Sequence, residues 1–494
     1  MQVVLRPNSI EDYQLFLKVK RLPRYSITGR TAQFPDEYAS LLGMESQLAD
    51  AGDYKPMRKM FDYQSAITSL AIRKQKFAAF LDCGFGKTLI LLDYARHCAE
   101  LMPRRCTLIV SPLMVVSQTL AECKKFYGKS LPIQQLRSAE LGKWLESGSG
   151  IGITNYEAIT DKIRAGNLGA LILDESGMLK SHYGKWGRRL IDLGKGLNWK
   201  LCLTGTPAPN DRIEYGNHAV FLDQFPTVNA FLARYFVNRG QTDNRWELKP
   251  HALRPFYRDL SHWCIFLTDP TVYGWKGNGK TIPPIEVHIH EVELTKQQRE
   301  ESMTLTKGLF AEAGGFVQRG KLARLAKGIG VNGTDKVKTK KPEFIRKLIE
   351  SWPDESTILW CNYNREQDMM AKLFPGGASI AGDTPYESRA ELVAEFQRGE
   401  RKILTSKPKV LGYGLNLQIA TRQVFSSLVD SYESYYQAVK RSNRVGSDKP
   451  LSVHIPITDI EQPMVANVLR KAARVQSDTE EQERLFREFG YVAT

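Results

Sequence analysis

The sequence lacks the features of several protein classes. Its seven cysteines include no Cys-x-x-Cys pair and its eight histidines form no cluster, so neither a structural zinc site nor a disulfide framework is expected. No uninterrupted apolar run reaches the ~18 residues of a membrane span, and the first residues become polar and charged too early for a secretory leader. Low-complexity tracts and internal repeats are also missing. These absences predict a soluble, intracellular protein with no membrane partner.

Acidic residues are in the minority. The chain has 494 residues, with 69 Lys and Arg against 54 Asp and Glu, which gives a formal charge of +15. This excess favours a polyanionic partner, because basic side chains release counterions when they bind one. Charge that serves only solubility is the alternative. The length also exceeds one ordinary core, and a hydrophobic content of 42% is enough to fill two large domains.

Short apolar runs alternate with helical patterns along most of the chain. The first series of runs lies at 77–81, 107–110, 151–153, 170–173 and 201–203, after a helix predicted at 62–75, and the second lies near 282 and at 357–360, 402–405, 424–429 and 452–455. Short runs separated by helices predict buried parallel sheets.

We therefore expect an α/β protein of three parts. Residues 1–55 form an N-terminal accessory module, residues 56–280 a first α/β domain, and residues 281–494 a second one with C-terminal helices. The aromatic-rich stretch 209–280 is expected to contain helices that cross from the first domain, followed by a linker.

A phosphate-binding loop is predicted where one run meets a helix. The segment LDCGFGKT (81–88) begins at the end of the run FAAFL and precedes the apolar stretch LILLDYARHC. This strand–loop–helix context is that of a P-loop, whose glycines let backbone N–H groups reach phosphate oxygens. Lys87 would meet the β- and γ-phosphates and Thr88 would face Mg²⁺. A chance glycine-rich turn is the alternative, because Leu81 replaces the first glycine of the full pattern.

Two carboxylates follow another apolar run. Asp174 and Glu175 come directly after LIL (171–173), at a strand end where parallel sheets bind ligands. Asp174 would belong to the shell of Mg²⁺ while Glu175 polarises the attacking water. A solvated turn or helix cap is the alternative for the pair alone, but Lys87 upstream favours a site for ATP and Mg²⁺.

Further segments follow in a fixed order, and from about residue 56 to 475 the chain resembles the Swi/Snf-like translocases of superfamily-two helicases. The segments that carry the resemblance are Gln64 in FDYQ, VSPLMVVSQTLAE (110–122), ITNYEAI (153–159), TGTP (204–207), IPP (282–284), GYGLNL (412–417, motif V) and QAVKRSNRVG (437–446, motif VI). Departures stand at Leu81, at Ser176 and Gly177 in place of the usual Ala-His, and at Ser447 in place of Gln. None of them removes a Lys, Asp, Glu or Arg of the expected chemistry.

The resemblance implies two RecA-like domains, each a mostly parallel sheet flanked by helices, with ATP between them. It implies catalytic roles for Lys87, Asp174, Glu175, Arg441 and Arg444, ATP binding by Gln64, Gly84, Phe85, Gly86, Lys87, Thr88 and Gly414, and coupling of ATP state to domain movement by Thr204 and Thr206. On a helix, Arg441 and Arg444 would share a face, so both guanidinium groups would point across the cleft at a γ-phosphate. An exposed basic helix face is the alternative.

Two groups of residues are candidates for binding the DNA backbone. Lys336, Lys338, Lys340 and Lys341 belong to the basic segment 319–341, which is predicted to be a flexible loop that tracks phosphates, with a solvated surface loop as the alternative. Ser111, Thr154 and Ser406 stand at loops that match strand contacts of the family, where hydroxyl or backbone N–H groups would hold phosphates.

Together these features predict a DNA-dependent ATPase, an ATP-dependent translocase or helicase that moves along or remodels duplex or branched DNA. The compact length resembles motors encoded by bacteriophages, which implies a monomer in the cytoplasm of a bacterial or phage-infected cell, with replication or recombination proteins as partners. RNA is the less favoured substrate. A strand-separating helicase on forked DNA or RNA and a DNA-binding scaffold with weak ATPase activity are the alternatives.

Overall fold

The computed structural model describes residues 1–488 except for short segments. The gaps are 23–24, 36–37, 45–49, 181–184, 241–245, 278–281, 308–314, 331–335, 412–414, 430, 445–446 and 448. The described residues form a small N-terminal module and two larger α/β lobes.

The N-terminal module is a small antiparallel sheet with one helix. Its elements are β1 (Gln2–Val4), α1 (Ile10–Lys20), β2 (Ser26–Thr28) and β3 (Thr31–Gln33), with strand order β1–β3–β2. Val19 and Ala32 are fully buried in its core. The phenol of Tyr38 is hydrogen-bonded at 2.5 Å to Nδ1 of His262, so the module is attached to lobe one.

Lobe one is built on a parallel sheet of seven strands. Its elements are α2 (Asp62–Lys74), β4 (Lys76–Leu81), α3 (Lys87–Leu101), β5 (Cys106–Ser111), α4 (Leu113–Tyr127), β6 (Ile133–Gln135), α5 (Ser138–Ser147), β7 (Gly150–Asn155), β8 (Leu168–Asp174), α6 (Lys185–Leu193), β9 (Trp199–Thr204), α7 (Tyr215–Phe221), α8 (Val228–Tyr235), β10 (Phe236–Asn238), β11 (Trp246–Leu248), α9 (Leu253–Trp263) and β12 (Cys264–Leu267). The sheet order is β12–β4–β9–β8–β5–β7–β6, and β10 and β11 form a separate antiparallel pair. Strands β5, β8 and β9 are buried along their whole length, which explains why they are nearly continuous apolar runs.

Lobe two is built on a second parallel sheet, of six strands. Its elements are β13 (Ile285–Glu291), α10 (Lys296–Lys307), α11 (Gly315–Ala326), α12 (Lys341–Glu350), β14 (Thr357–Trp360), α13 (Asn364–Leu373), β15 (Ala378–Ile380), α14 (Tyr386–Gln397), β16 (Ile403–Ser406), α15 (Pro408–Leu411), β17 (Arg422–Phe425), α16 (Tyr432–Val439), β18 (Leu451–Ile457) and α17 (Gln462–Glu488). The sheet order is β13–β18–β17–β14–β16–β15. Two parallel sheets with flanking helices confirm the predicted α/β fold class.

The last helix joins the two lobes. Val465 and Val468, near the beginning of α17, lie in the core of lobe two, whereas Leu485 and Phe486 near its end are buried in the cores of lobe one. The backbone N–H and hydroxyl of Thr268 also donate to the carboxylate of Glu483, at 2.8 and 2.7 Å. The C-terminal helix that the sequence placed with the second domain therefore completes the first one.

Three strands, β10, β11 and β12, lie where the sequence predicted only helices and a linker. Residues 264–267 form β12, the edge of the lobe-one sheet, paired in parallel with β4. Within the described part of the chain, no helix combines the length and the apolar character that crossing a membrane requires.

Candidate functional site

The predicted P-loop connects β4 to α3 at the carboxyl edge of the lobe-one sheet. Leu81 is fully buried as the last residue of β4, which explains why an apolar side chain replaces the expected glycine. Gly86 has a φ of +71°, a conformation that favours glycine, and a Cβ there would collide with the amide of Gln64. Lys87 begins α3, and its ammonium donates to the backbone carbonyl of Leu81 at 3.0 Å.

The charge of Lys87 is held by the groups around it. Burial alone would lower the pKa of this ammonium. The neighbouring Cys83, Glu175, Asp82 and Asp174 outweigh burial and raise the pKa above its usual value. Lys87 is therefore a cation fixed inside the loop, as contact with phosphate requires.

Gln64 connects α2 to the P-loop. It is 2% exposed, its carbonyl accepts from the backbone N–H of Phe61 at 2.9 Å, and its amide donates to the carbonyl of Phe85 at 3.1 Å. The structure thus places the side chain of Gln64, predicted to bind ATP, directly against the loop, with both ends of its amide bonded within lobe one.

Asp174 ends β8 beside the P-loop. Its carboxylate accepts from the hydroxyl of Ser111 at 2.9 Å and from the backbone N–H of Glu175 at 3.1 Å, and its carbonyl accepts from Tyr156 at 2.7 Å. Burial, and then the adjacent charge of Glu175, raise the pKa of Asp174 to about 7, although the bond from Ser111 and the charge of Lys87 act in the opposite direction.

Glu175 follows in a backbone conformation that is rare for a side-chain residue. Its φ is +49°, in the left-handed region, so the chain turns sharply after the strand. Its carboxylate accepts from the hydroxyl of Thr204 at 3.3 Å, and that hydroxyl accepts from the backbone N–H of Thr206 at 3.1 Å. The TGTP segment and the acidic pair therefore form one hydrogen-bonded unit.

Lobe two contacts the P-loop directly. The ammonium of Lys440, which follows α16, lies 2.8 Å from the carboxylate of Asp82, and the phenol of Tyr436 donates to the same carboxylate. Burial alone would raise the pKa of Asp82, but the charge and hydrogen bond of Lys440, with the bond from Tyr436, lower it below the usual value. No motif marks Lys440, Tyr436 or Asp82 as a contact between the lobes, and the one signal in the sequence is the position of Asp82 inside the loop.

The two motif VI arginines are not on one helix face, so this expectation was wrong. Helix α16 ends at Val439, before both of them. The guanidinium of Arg441 is 2% exposed and donates to the side chain of Gln437 at 2.8 Å and to the carbonyl of Leu415 at 3.3 Å. Arg441 is thus bonded within lobe two.

Arg444 is the arginine that faces lobe one. Burial and the nearby charge of Arg441 lower its pKa to about 10, while Cys83 of the P-loop and Glu175 act to raise it. The side chain therefore remains charged at neutral pH and lies within electrostatic range of both. A cavity of about 260 Å³ lies beside these groups, with Glu175 and Thr204 on one wall and Gln437 on the other.

The hydroxyl groups of the three predicted phosphate contacts are all bonded to other groups of the protein. The hydroxyl of Ser111 bonds to Asp174, that of Thr154 donates to the carbonyl of Leu136 at 2.9 Å, and that of Ser406 donates to the carbonyl of Ile380 at 2.6 Å. Ser111 and Ser406 end their strands, Thr154 is the last residue but one of β7, and all three are at most 1% exposed. Each hydroxyl is bonded inside its lobe, so the expected hydroxyl contacts to a DNA backbone are wrong.

The basic segment divides into exposed and buried lysines. Lys336 and Lys338 are exposed, and Lys340 is exposed and paired with Glu293 at 2.7 Å. Lys341 is 1% exposed and its ammonium lies 2.6 Å from the carboxylate of Glu461. The prediction that Lys341 contacts phosphate was therefore wrong.

Two further predictions concern the segment 319–341 and Gly414. The expectation of one flexible loop over 319–341 was also wrong, because α11 extends to Ala326. Gly414, predicted to contact ATP, lies outside the described residues.

Comparison with protein families gives two matches. A model of the SNF2-related domain matches residues 79–348, which is more than half of the chain, and a model of the helicase conserved C-terminal domain matches residues 340–446. Together the two matches cover residues 79–446, which include strands of both parallel sheets but not β18.

Individual relatives are more distant. Protein p41 of Acyrthosiphon pisum secondary endosymbiont phage 1 is 23% identical over 79% of this chain and 91% of its own length. The DNA annealing helicase and endonuclease ZRANB3 of Bos taurus is 22% identical over 85% of this chain, which spans 40% of that protein. The Sulfolobus solfataricus SWI2/SNF2 ATPase core, solved in complex with dsDNA, is 17% identical with a TM-score of 0.41, over 90% of this chain and 99% of that one.

Proposed function

Since the chain belongs to the SNF2-related family of ATP-dependent helicases and translocases, we propose that it hydrolyses ATP between its two lobes in order to move along or remodel duplex or branched DNA. The enzyme is a DNA-dependent ATPase. The observation that carries the proposal is the convergence of Lys87, Asp174 and Glu175 at one edge of lobe one, with the motif VI segment held against the same loop through Asp82.

Lys87 is the proposed phosphate ligand. Its ammonium donates to two carbonyls of the loop itself, Leu81 at 3.0 Å and Asp82 at 3.5 Å, so a bound phosphate oxygen would replace backbone oxygens as its partner. The positive end of α3 points at the same position. These interactions bind and orient ATP.

Glu175 is the proposed base for the attacking water. Its carboxylate would accept a proton as the water attacks, and the hydroxyl of Thr204, 3.3 Å away, orients it. Because Thr204 also accepts from the backbone of Thr206, a movement of the TGTP segment would shift the base. This linkage gives a physical basis for the proposed coupling between ATP state and lobe position.

Mg²⁺ is the proposed cofactor. Asp174 and Thr88 supply the oxygen ligands that Mg²⁺ prefers, and its remaining ligands are commonly phosphate and water. The described residues contain no group of three or more side chains arranged to hold a metal, which fits an ion that is bound together with ATP. When bound, the ion would neutralise charge on the transferred phosphate.

Arg444 is the proposed arginine finger. It comes from lobe two yet lies within electrostatic range of Glu175 and of the P-loop, so its guanidinium would meet the developing charge only when the lobes are closed. Arg441, bonded to the carbonyl of Leu415, is proposed instead to hold motif V against motif VI.

The proposed substrate is DNA, in agreement with the net charge of +15. The test measures ATP hydrolysis with duplex, forked and single-stranded DNA and with RNA, using Glu175→Gln as the inactive control. Stimulation by duplex or forked DNA is expected, together with displacement of a triplex-forming strand by wild type only. ATP turnover that no DNA stimulates would reject the proposal, and unwinding of a fork without triplex displacement would favour a strand-separating helicase.

A further inference from the structure

A second cleft lies between the N-terminal module and lobe one, at the opposite edge of the sheet from the P-loop. It consists of two adjoining cavities of about 540 and 580 Å³, which share Tyr25, Ser26, Arg234 and His262. The larger one also contacts Lys76, the first residue of β4, whereas the P-loop follows the last residue of that strand. We propose that this cleft, named here the amino-edge cleft, binds single-stranded DNA.

The cleft presents unpaired positive charge. The smaller cavity is lined by Lys20 of α1, Arg234 of α8 and Arg258 of α9. All three are exposed, and none forms an ion pair with any carboxylate that the structure describes. The ammonium of Lys20 lies 5.2 Å from the ring centre of Phe16, and the guanidinium of Arg234 lies 5.5 Å from that of Tyr235, contacts that leave both charges without a counter-ion. The acidic residue of this lining, Asp259, is 6% exposed and accepts a hydrogen bond from Tyr235. Three cations without a carboxylate partner around one cavity favour an anionic ligand with more than one charge.

Aromatic side chains lie among these cations. Phe16 lines the smaller cavity and stacks on Tyr13 with a centroid distance of 6.3 Å and an interplanar angle of 22°. Tyr13 is 62% exposed, so the stacked pair continues from the cavity to the surface. Tyr25 lines both cavities. Proteins that bind single strands combine aromatic rings with basic side chains, because unpaired bases stack on the rings and phosphates contact the cations.

The size of the cleft favours a single strand over a duplex. Each cavity lies within the range of about 300–1,000 Å³ that holds a compact ligand. Bases of a duplex are paired and stacked on each other, so they cannot reach rings inside a cavity, whereas unpaired bases can. This inference rests on the proposed function, which identifies the bound polymer as DNA. Because branched DNA contains both duplex and single-stranded segments, the inference makes it the substrate class.

The test compares the full chain with three variants. Lys20→Ala/Arg234→Ala/Arg258→Ala removes the cations, Tyr13→Ala removes the exposed ring, and Lys18→Ala is the matched control, an exposed lysine on the same helix that does not line the cleft. Anisotropy measures binding of a labelled oligo-dT and of a duplex across a range of salt concentrations. Duplex-stimulated ATP hydrolysis is measured on each variant, because none of these residues belongs to the ATP site.

The triple variant should bind oligo-dT more weakly, with a salt slope reduced by about 2, since each lost contact to a single strand contributes about 0.7. Tyr13→Ala should weaken oligo-dT binding by about 5- to 150-fold, the range for one stacked base. Both variants should keep duplex-stimulated hydrolysis, as should Lys18→Ala.

The inference would be overturned if the triple variant and Tyr13→Ala bound oligo-dT as tightly as Lys18→Ala does. It would also be overturned if they lost as much affinity for duplex as for oligo-dT. Competition by poly-glutamate as strong as that by unlabelled oligo-dT would do the same, since it would indicate an acidic peptide site. If wild type shows no DNA-stimulated hydrolysis while the variants lose oligo-dT binding, the proposed function fails and the cleft assignment stands.

Discussion

The carboxylate of Asp82 and the ammonium of Lys440 lie 2.8 Å apart across the cleft between the lobes. Their side chains are only 13% and 11% exposed. The pair therefore joins the loop that would hold phosphate to the segment that carries the arginines. If the loop binds ATP as proposed, Asp82 would link ATP binding directly to the position of the lobes.

Removing the ammonium should open the lobes in the absence of ATP. Lys440→Met leaves a buried carboxylate without its charged partner, which costs about 3–5 kcal/mol in the closed state. Energy transfer between dyes on the two lobes should fall, whereas Lys372→Met, an exposed lysine on α13, should leave it unchanged.

The pair also predicts the pH dependence of closure. The pKa of Asp82 is lowered in the closed state, so its contribution is fully present above the ordinary value of about 3.9 and is lost as the pH falls through the lowered value. Closure of wild type should thus be constant from about pH 8 to 5. Equal energy transfer in wild type and Lys440→Met would contradict this role.

Lys87→Ala and Glu175→Gln should both abolish turnover but differ in ATP binding. Lys87 would contact phosphate, whereas Glu175 would act on water. Glu175→Gln should bind a fluorescent ATP analogue as wild type does, and Lys87→Ala should bind it much more weakly. Glu157→Gln, a carboxylate that lines the same cavity, is the control and should hydrolyse ATP. Wild-type phosphate release by Glu175→Gln would show that the base has been assigned incorrectly.

Ser111→Ala should slow hydrolysis without weakening DNA binding. The serine donates to Asp174 at 2.9 Å, and a hydrogen bond to a charged group is worth about 1.5–3 kcal/mol, so a loss on the order of tenfold or more is expected. Thr154→Val, which removes a hydroxyl bonded to the carbonyl of Leu136, should affect neither activity. Reduced DNA affinity with normal hydrolysis in Ser111→Ala would return this serine to the phosphate contacts.

Lys341→Ala should destabilise the fold, whereas Lys336→Ala/Lys338→Ala should weaken DNA binding. The first change leaves Glu461 buried without its partner, at a cost of about 3–5 kcal/mol. The second removes two exposed charges and should lower the salt slope on duplex DNA by about 2. Urea unfolding and binding at several salt concentrations measure the two effects. Normal stability of Lys341→Ala would contradict the buried pair.

The sequence predicted the central strands well, because they are buried on both faces and must be apolar along their length. FAAFL and ALIL are both of this kind. The edge strand CIFL (264–267) was missed, because it has only four residues and directly follows an aromatic-rich helix. Short strands show little hydrophobic periodicity in the sequence. The conformation of β12 is determined by its pairing with β4.

The positions of candidate site residues were predictable where a sequence motif fixes the local backbone geometry. They were not predictable where a partner far away in the sequence determines whether a side chain is buried or exposed. Lys87 and Glu175 follow from the loop and the strand end on which they stand. Lys336 and Lys341 look alike in sequence, but Lys341 is paired with a glutamate 120 residues later. Likewise, α16 ends at Val439, so the three-residue spacing of Arg441 and Arg444 does not place them on one helix face.

The most direct test of the two-lobe ATPase is hydrolysis against DNA concentration for wild type, Arg444→Ala and Arg470→Ala, an exposed arginine on α17 that serves as the control. Arg444→Ala should keep its ATP affinity, which the P-loop of lobe one supplies, and its DNA binding. It should lose DNA-stimulated hydrolysis by about 10³-fold or more, the range of arginine fingers, while Arg470→Ala behaves as wild type. Wild-type stimulation of Arg444→Ala by DNA would contradict the account, because lobe two would then contribute nothing to the reaction.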